Sequence, residues 1–519
     1  MRRVCVWVVA IAAAAWTEAS PLAQQAQEAR APSEAGELRL LPEASTTRHS
    51  LDLGGRTIAY TASAGPSPLR DRQGKIIAQI FHVAYTLDPP DEERPITFVF
   101  NGGPGAASAF LHLGGLGPRV VAFSKAGGYL PPPGRLIDNP STWLAFTDLV
   151  FVDPVGSGYS RAALSREKTA ERFFGVRADA EAMAAFIRLY LARSDRLLSP
   201  VFLVGESYGG FRAAVLLETL QEDAGVAPSG AVLLSPVLDF ALIRGQDHAL
   251  LPPALLLPSL AATHLERQDA AGPGEMASRL REVERFALGD YLQGLAMGWE
   301  KLPAAVEDAL ADLTGLAPRI VRRSAGRISA SRFAKEYERA SGRILSLYDA
   351  AIDGPVPDPA SPGQSPDPIL DPAVPVWTSA FVSYVREHLD YETDLAYRLL
   401  DREASRAWDY DTGSNQGYAN AIEPLQAARA VSPTLQILIA HGYTDLVTPY
   451  FASRYLLGQL PPLKGAAPIT ERVYPGGHMM YMRAASRRAL AEDARLLYGR
   501  ALRAAGESHA APERPLPAQ

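Results

Sequence analysis

Val201-Phe202-Leu203-Val204 is a wholly apolar run that passes straight into Gly205-Glu206-Ser207-Tyr208-Gly209-Gly210. A run of strand length without in–out alternation needs cover on both faces, the condition of a parallel sheet between helix layers. The G-x-S-x-G that follows asks for a sharp strand-to-helix turn. Such a turn pushes the serine Oγ outward, and small residues on either side let the backbone pass close by. In a chain with 42 glycines the pattern alone is weak. Its position between a buried strand and a helix beginning near Tyr208 gives it meaning.

The rest of the chain repeats that logic. Ile76–Leu87, Ile96–Phe100, Asp148–Val152 and Ala231–Leu234 read as strands, and Phe174–Arg193 as a helix with Ala180, Met183, Ile187 and Leu191 on one face. Strands alternating with helices predict a mostly parallel α/β sheet, with a first core part over 46–240. From Ala241 to Asp401 the windows are helical (Met276–Met297, Leu302–Leu313, Ser379–Leu389), which predicts a helical cap inserted into the core. Within it, Asp353–Pro375 carries eight prolines and is expected to be an extended loop. The α/β pattern resumes over 402–505, with strands at Leu435–Ile439 and near Val473 and helices at Phe451–Leu460 and Ala484–Ala504. Residues 24–45 are expected to be a disordered leader, and 506–519 a disordered tail.

Composition narrows the class. Net charge is −6, with 47% hydrophobic and 21% charged residues, which excludes collagen-like, wholly disordered and coiled-coil chains. Mild acidity gives no electrostatic footprint for nucleic acid, so none is expected as a partner. Met1-Arg2-Arg3 precedes an apolar run, Val4–Trp16, and then small residues at Ala19, Ser20 and Ala23. That layout predicts a signal peptide over 1–23, cleaved after Ala19 or Ala23, and export to the periplasm or medium. The single cysteine, Cys5, would leave with it, so the mature chain would hold no disulfide. No later run is apolar enough to span a bilayer.

A nucleophilic serine needs a base, and the base needs an orienting carboxylate. In α/β-hydrolases these follow in the order Ser, Asp or Glu, His. Of nine histidines, His49, His82 and His112 precede Ser207; His248, His264 and His388 fall in the insert; His509 falls in the tail. His441 ends a strand where a carboxylate should follow, and Asp445 follows; His441 reads as a structural or supporting histidine. His478 lies in a glycine-rich loop after the last strand. The predicted triad is therefore Ser207, Asp445 and His478. The developing oxyanion needs N–H donors: Tyr208 supplies one, and the loop Asn101-Gly102-Gly103-Pro104-Gly105 stands where the second belongs. There is no H-E-x-x-H, no Cys–His set and no phosphate loop, so no metal or cofactor is expected.

Four separated motifs, Asn101–Gly105, Gly205–Gly210, Asp445 with Pro449, and Gly477-His478-Met479, together resemble the serine carboxypeptidase family (peptidase family S10), as a bacterial-type member. Asn139–Trp143 and Asp153–Ser160 fit the stretch between. The resemblance implies an α/β-hydrolase that removes C-terminal residues from peptides, usually in acid. It implies Gly103 and Tyr208 as the oxyanion donors. It also implies Asn101, the Gly102 backbone and Glu206 as holders of the substrate's terminal carboxylate. Two carboxyl groups together raise one pKa, which accounts for acid preference. The chain departs from the family at Gly115, where a second glutamate is usual, and Ala106 stands where the family has cysteine. Arg119 is a candidate substitute for carboxylate binding, though it reads more readily as an exposed arginine. Gly115 motivates an alternative, an esterase or acyltransferase with the same acyl-enzyme chemistry. A non-catalytic binding protein on this fold is the third reading.

Overall fold

The computed structural model describes residues 37–244, 248–269, 272–358, 365–411 and 419–510. The expected signal peptide lies outside them. Nine main strands form the sheet: β1 (Ser45–Asp52), β2 (Thr57–Arg70), β3 (Ile76–Leu87), β4 (Ile96–Phe100), β5 (Asp148–Val152), β6 (Val201–Glu206), β7 (Pro228–Leu234), β8 (Gln436–Gly442) and β9 (Thr470–Tyr474). Their order is β1-β2-β3-β5-β4-β6-β7-β8-β9, with the two-residue strand Arg161–Ala162 pairing off β3. The first three are antiparallel and β3 meets β5 antiparallel. From β5 to β9 every pair is parallel. The sequence reading missed β1 and β2, whose half-exposed alternating pattern gives a weaker signal than an unbroken apolar run.

Each central strand feeds two cores. In β6, Phe202 and Val204 pack on one face, Val201 and Leu203 on the other. The second face is covered by α1 (Val176–Arg193) and α2 (Tyr208–Thr219), among others. The parallel register sets Phe100 against Gly205 and Leu234 against both Glu206 and Ala440. The loops after β4, β6, β8 and β9 therefore leave from one edge, the carboxyl end of the strands, where open α/β sheets bind ligands.

The insert divides into two. Helices including α3 (Leu251–Arg267), α4 (Pro318–Arg323) and α5 (Ala330–Tyr337) form a third hydrophobic cluster. By contrast, α6 (Leu370–Glu387) packs Ala373, Trp377, Phe381 and Tyr384 into the main core beside Phe81 and Tyr85. Its apolar residues recur every three or four positions, a helical stripe that outweighs the local proline signal. The expected extended loop over 353–375 is thus corrected. Asp353–Pro355 is a strand paired with Arg343–Leu345, and Pro372 and Pro375 lie inside α6. Pro372 sits in the first turn, where no N–H partner is needed; residues 359–364 lie outside the description.

Parts of both ends expected to be disordered are structured. Within the expected leader, Leu38–Leu40 is a 3-10 turn, and Glu37 reaches Arg161 at 2.8 Å and Arg398 at 3.4 Å. Arg161 is only 5% exposed, and a buried guanidinium needs such a partner. At the other end, the final helix runs Ala484–Ala510, past the expected limit at 505. Among the described residues no helix is long and apolar enough to cross a membrane.

Candidate active site

Ser207 sits between β6 and α2 with φ +59° and ψ −123°, a conformation disfavoured for an L-residue. The flanking glycines explain how the chain tolerates the turn. A Cβ on Gly205 would strike the Gly209 carbonyl, and one on Gly209 would lie 2.6 Å from the Phe100 oxygen. Ser207 N–H donates to the Leu234 carbonyl at 2.9 Å, which ties the turn to β7. Tyr208 opens a twelve-residue helix. Its N–H belongs to the first turn, which has no intrahelical partners and carries the positive end of the helix dipole.

The Asn101–Gly105 loop lies against this turn. A Cβ on Gly102 would sit 2.8 Å from Ser207 Cβ and 2.7 Å from the Tyr208 nitrogen, so any side chain there would block that N–H. Gly103 adopts φ +96°, open to glycine and strained for other residues.

Asp445 follows β8, and His478 follows β9. His478 Nδ1 lies 2.8 Å from Asp445 Oδ2, and both side chains are buried. Asp445 Oδ1 accepts from the N–H groups of Val447 (2.8 Å) and Thr448 (3.0 Å). The Thr448 hydroxyl donates to Oδ2 at 2.6 Å and lies 3.0 Å from His478 Nδ1. With Nδ1 protonated toward the carboxylate, Nε2 is left as the acceptor a general base requires. Burial pushes the imidazole pKa down, but the Asp445 charge, its hydrogen bond and the Glu206 charge outweigh burial and raise it. Thr448 was not singled out from the sequence, although its place three residues after Asp445 is the spacing of an aspartate-capped turn.

The cap reaches into this site through residues 346–350. The Leu347 carbonyl accepts from Leu446 N–H at 3.0 Å, and the Tyr348 carbonyl accepts from His478 N–H at 2.5 Å. Ala350 N–H donates to the Thr444 carbonyl at 3.0 Å, and the Thr444 hydroxyl donates to Asp349 Oδ1 at 2.6 Å. Arg483 binds the other Asp349 oxygen at 2.9 Å and Glu266 of α3 at 2.6 Å. One cap segment thus bonds to both the aspartate loop and the histidine loop. The Tyr348 ring stands edge-on to His478 at 5.4 Å. Sequence reading missed this strap, because it joins residues about 100 positions apart and carries no motif.

Glu206 is buried beside the turn. Asn101 Nδ2 donates to Glu206 Oε2, and the Tyr481 hydroxyl donates to Oε1 at 2.8 Å. Burial pushes the carboxyl up to about 7; His478 and the two hydrogen bonds oppose the rise, and Asp445 adds to it. Tyr481 also accounts for Gly115. A Cβ on Gly115 would meet Tyr481 Cβ at 3.1 Å and its ring at 3.2 Å. The side chain from the His478 loop thus fills the space beside residue 115 and offers Glu206 a neutral hydroxyl. Tyr481 was likewise missed, since a tyrosine three residues after a histidine has no signature.

Two further candidates take no part in the triad. His441 is buried, bonds Ser453 Oγ at 2.9 Å, and is pushed down to about 4 by burial. Arg119 pairs with Asp138 at 3.0 Å across a small hairpin. Among the described residues no group of three His, Cys, Asp or Glu is placed to hold a metal ion.

The serine carboxypeptidase family model matches residues 73–227, which include Asn101–Gly105 and the Ser207 turn but not Asp445 or His478. No curated protein matches the chain. Among solved structures, the chain is similar to Kex1(delta)p, a prohormone-processing carboxypeptidase from Saccharomyces cerevisiae. The identity is 15%, the match covers 85% of this chain and 91% of that one, and the TM-score is 0.53. A thermostable carboxyl esterase from Bacillus coagulans matches at 13% identity over 85% of this chain and 99% of its own, with TM-score 0.34. The fold is that of the α/β-hydrolases.

Proposed function

We propose that this chain is a serine hydrolase of the carboxypeptidase type, releasing C-terminal residues from peptides. The observation that carries the reading is the buried Asn101–Glu206–Tyr481 group directly beside the Ser207 turn. A carboxyl held up to about 7 is largely protonated in mild acid, and a protonated carboxyl can donate to a substrate's terminal carboxylate. The partial family match, which takes in the Asn101 loop and the serine turn, supports the same reading.

In this scheme Ser207 Oγ attacks the last peptide carbonyl while His478 Nε2 takes its proton. Asp445 holds Nδ1–H and stabilises the imidazolium. The oxyanion accepts from the Gly103 and Tyr208 N–H groups, helped by the α2 dipole. The C–N bond then breaks, His478 returns the proton to the leaving amine, and a free amino acid departs. Water, deprotonated by His478, cleaves the Ser207 ester and restores the enzyme.

The test is cleavage of an N-blocked dipeptide against its C-terminal amide. The free acid should be cut at least about tenfold faster at pH 5–6, the worth of one charge-assisted contact; equal rates would sink carboxylate recognition. One observation favours an esterase or acyltransferase instead: Gly115 and Tyr481 leave Glu206 without a second carboxyl. Rapid turnover of small esters with no peptide release would select that reading. We further infer export by the signal over residues 1–23, to be checked by N-terminal sequencing of the mature protein.

A further inference from the structure

The cap carries a basic stretch that this reaction scheme leaves unused. Residues 318–343 hold eight basic and two acidic side chains, in a chain of net charge −6. Arg319 and Arg323 on α4, Arg332 on α5 and Arg339 beyond it converge on one cavity of about 370 Å³, with Glu336 the single acidic group in its wall. Arg339 is neutralised by Glu336 at 3.0 Å, and Arg332 is held by Ser324 Oγ at 2.8 Å. Arg319 and Arg323 have no ion-pair partner among the described residues. A solvated basic face needs no cavity. Here like charges are gathered around one, and an anion would relieve their mutual repulsion.

The cavity adjoins a groove of about 1030 Å³ that shares Arg323, Arg332, Glu336 and Arg339 and adds Lys335. Its wall also includes Leu347 and Tyr348, of the strap that bonds His478. The groove also contains Asp367 and Asp371. Asp367 is occupied by the Ser346 hydroxyl and the Leu347 and Ile369 N–H groups; Asp371 accepts from Asp367 N–H and faces Arg402 at 4.0 Å. The groove's five basic side chains still outnumber its three acidic ones, and all but Arg402 belong to the cap.

We propose that this groove holds the part of the peptide N-terminal to the cleaved bond, and that Arg319 and Arg323 bind acidic side chains there. The inference rests on the peptide-hydrolase reading above. α5 packs on the strand Arg343–Leu345, three residues before Tyr348. Three residues span at most about 10 Å, so α5 lies close to the Tyr348 end of the groove; with α4 beyond it, the proposal assigns the acidic positions to about three to five residues upstream of the scissile bond. Guanidinium groups suit carboxylates because they offer paired, planar donors.

The experiment measures binding to full-length Ser207→Ala of two blocked peptides that differ only by Glu or Gln at those positions. The Glu peptide should bind about tenfold more tightly at low salt and lose most of that advantage at about 0.5 M salt. Arg319→Gln with Arg323→Gln should reduce the difference to about twofold or less and leave the Gln peptide's affinity unchanged. Equal affinity of the two peptides for the Ser207→Ala protein overturns the proposal without relying on those variants. So does binding of inorganic phosphate at these arginines with no preference for the Glu peptide. Arginine-dependent preference in a protein that releases no amino acid from either peptide leaves the groove standing and refutes the carboxypeptidase reading.

Discussion

Replacing Tyr481 by phenylalanine should make the enzyme relatively more active in mild alkali, although it deletes a hydrogen bond from the site. The hydroxyl donates to Glu206 Oε1 at 2.8 Å, and the carboxyl is held at about 7 against that stabilisation. A hydrogen bond to a charged group contributes about 1.5–3 kcal/mol. Part of it survives when the acid is neutral, because the hydroxyl can still donate to the acid's carbonyl oxygen. If about half discriminates between the two forms, the shift is about one pKa unit, upward, because the lost donor favoured the anion.

The consequence for activity follows from the proposed role. Substrate carboxylate requires a protonated Glu206, so kcat/KM falls as pH rises through the Glu206 pKa. Moving that limb up by about one unit raises the ratio of kcat/KM at pH 8 to that at pH 6 by about fivefold. The rising limb, set by loss of the proton from His478, is common to both proteins. The two groups interact, so the fitted values belong to the pair. The assay is a pH profile of kcat/KM on an N-blocked dipeptide, with Glu206→Gln as the control that should flatten the falling limb. An unchanged or lower ratio in Tyr481→Phe would refute the reasoning.

Ser207→Ala and His478→Ala should each lower kcat by at least about 10³-fold with little change in melting temperature, measured on purified protein; substantial activity in either refutes the triad. Asp349→Ala should lower kcat by about 10- to 100-fold and stability by about 1–3 kcal/mol, because it leaves Thr444 and Arg483 without their shared acceptor. Steady-state kinetics and urea unfolding separate these effects, and an unaltered kcat would deny the strap any part in catalysis. Glu206→Gln should raise stability at pH 8 by about 1–3 kcal/mol and leave it unchanged at pH 4. The folded pKa, about 7, lies above the usual 4.5, so ionisation costs stability progressively between those values and fully above 7. Denaturant titration at the two pH values checks the sign.

The central sheet was legible because its strands are buried on both faces and read as apolar runs. The serine turn was legible because steric contacts at Gly205 and Gly209 leave glycine as the residue that fits. Asp445 and His478 were reachable by chain order, although residues 241–401 separate them from Ser207. Local signals failed where a longer-range one competed. Pro372 and Pro375 suggested a loop, but the stripe from Ala373 to Tyr384 buries against the sheet and makes a helix. Glu37 lies in a polar leader, yet the buried Arg161 fixes it.

What the sequence by itself determined is the set of positions whose chemistry admits few substitutes: the strand-to-helix turn at Ser207, the glycine loop after Phe100, and the ordered acid and base. Tertiary structure alone decided what surrounds Glu206 and what holds His478. Tyr481 enters the space beside Gly115 from a different loop, and the Tyr348–Asp349 strap comes from the cap. The physical reason is that hydrogen bonds and packing between distant segments act through proximity, which only the folded chain creates. The charge of the cap had the same two parts. Eight basic residues were countable in the sequence, but the convergence of four of them, Arg319, Arg323, Arg332 and Arg339, on one cavity was not.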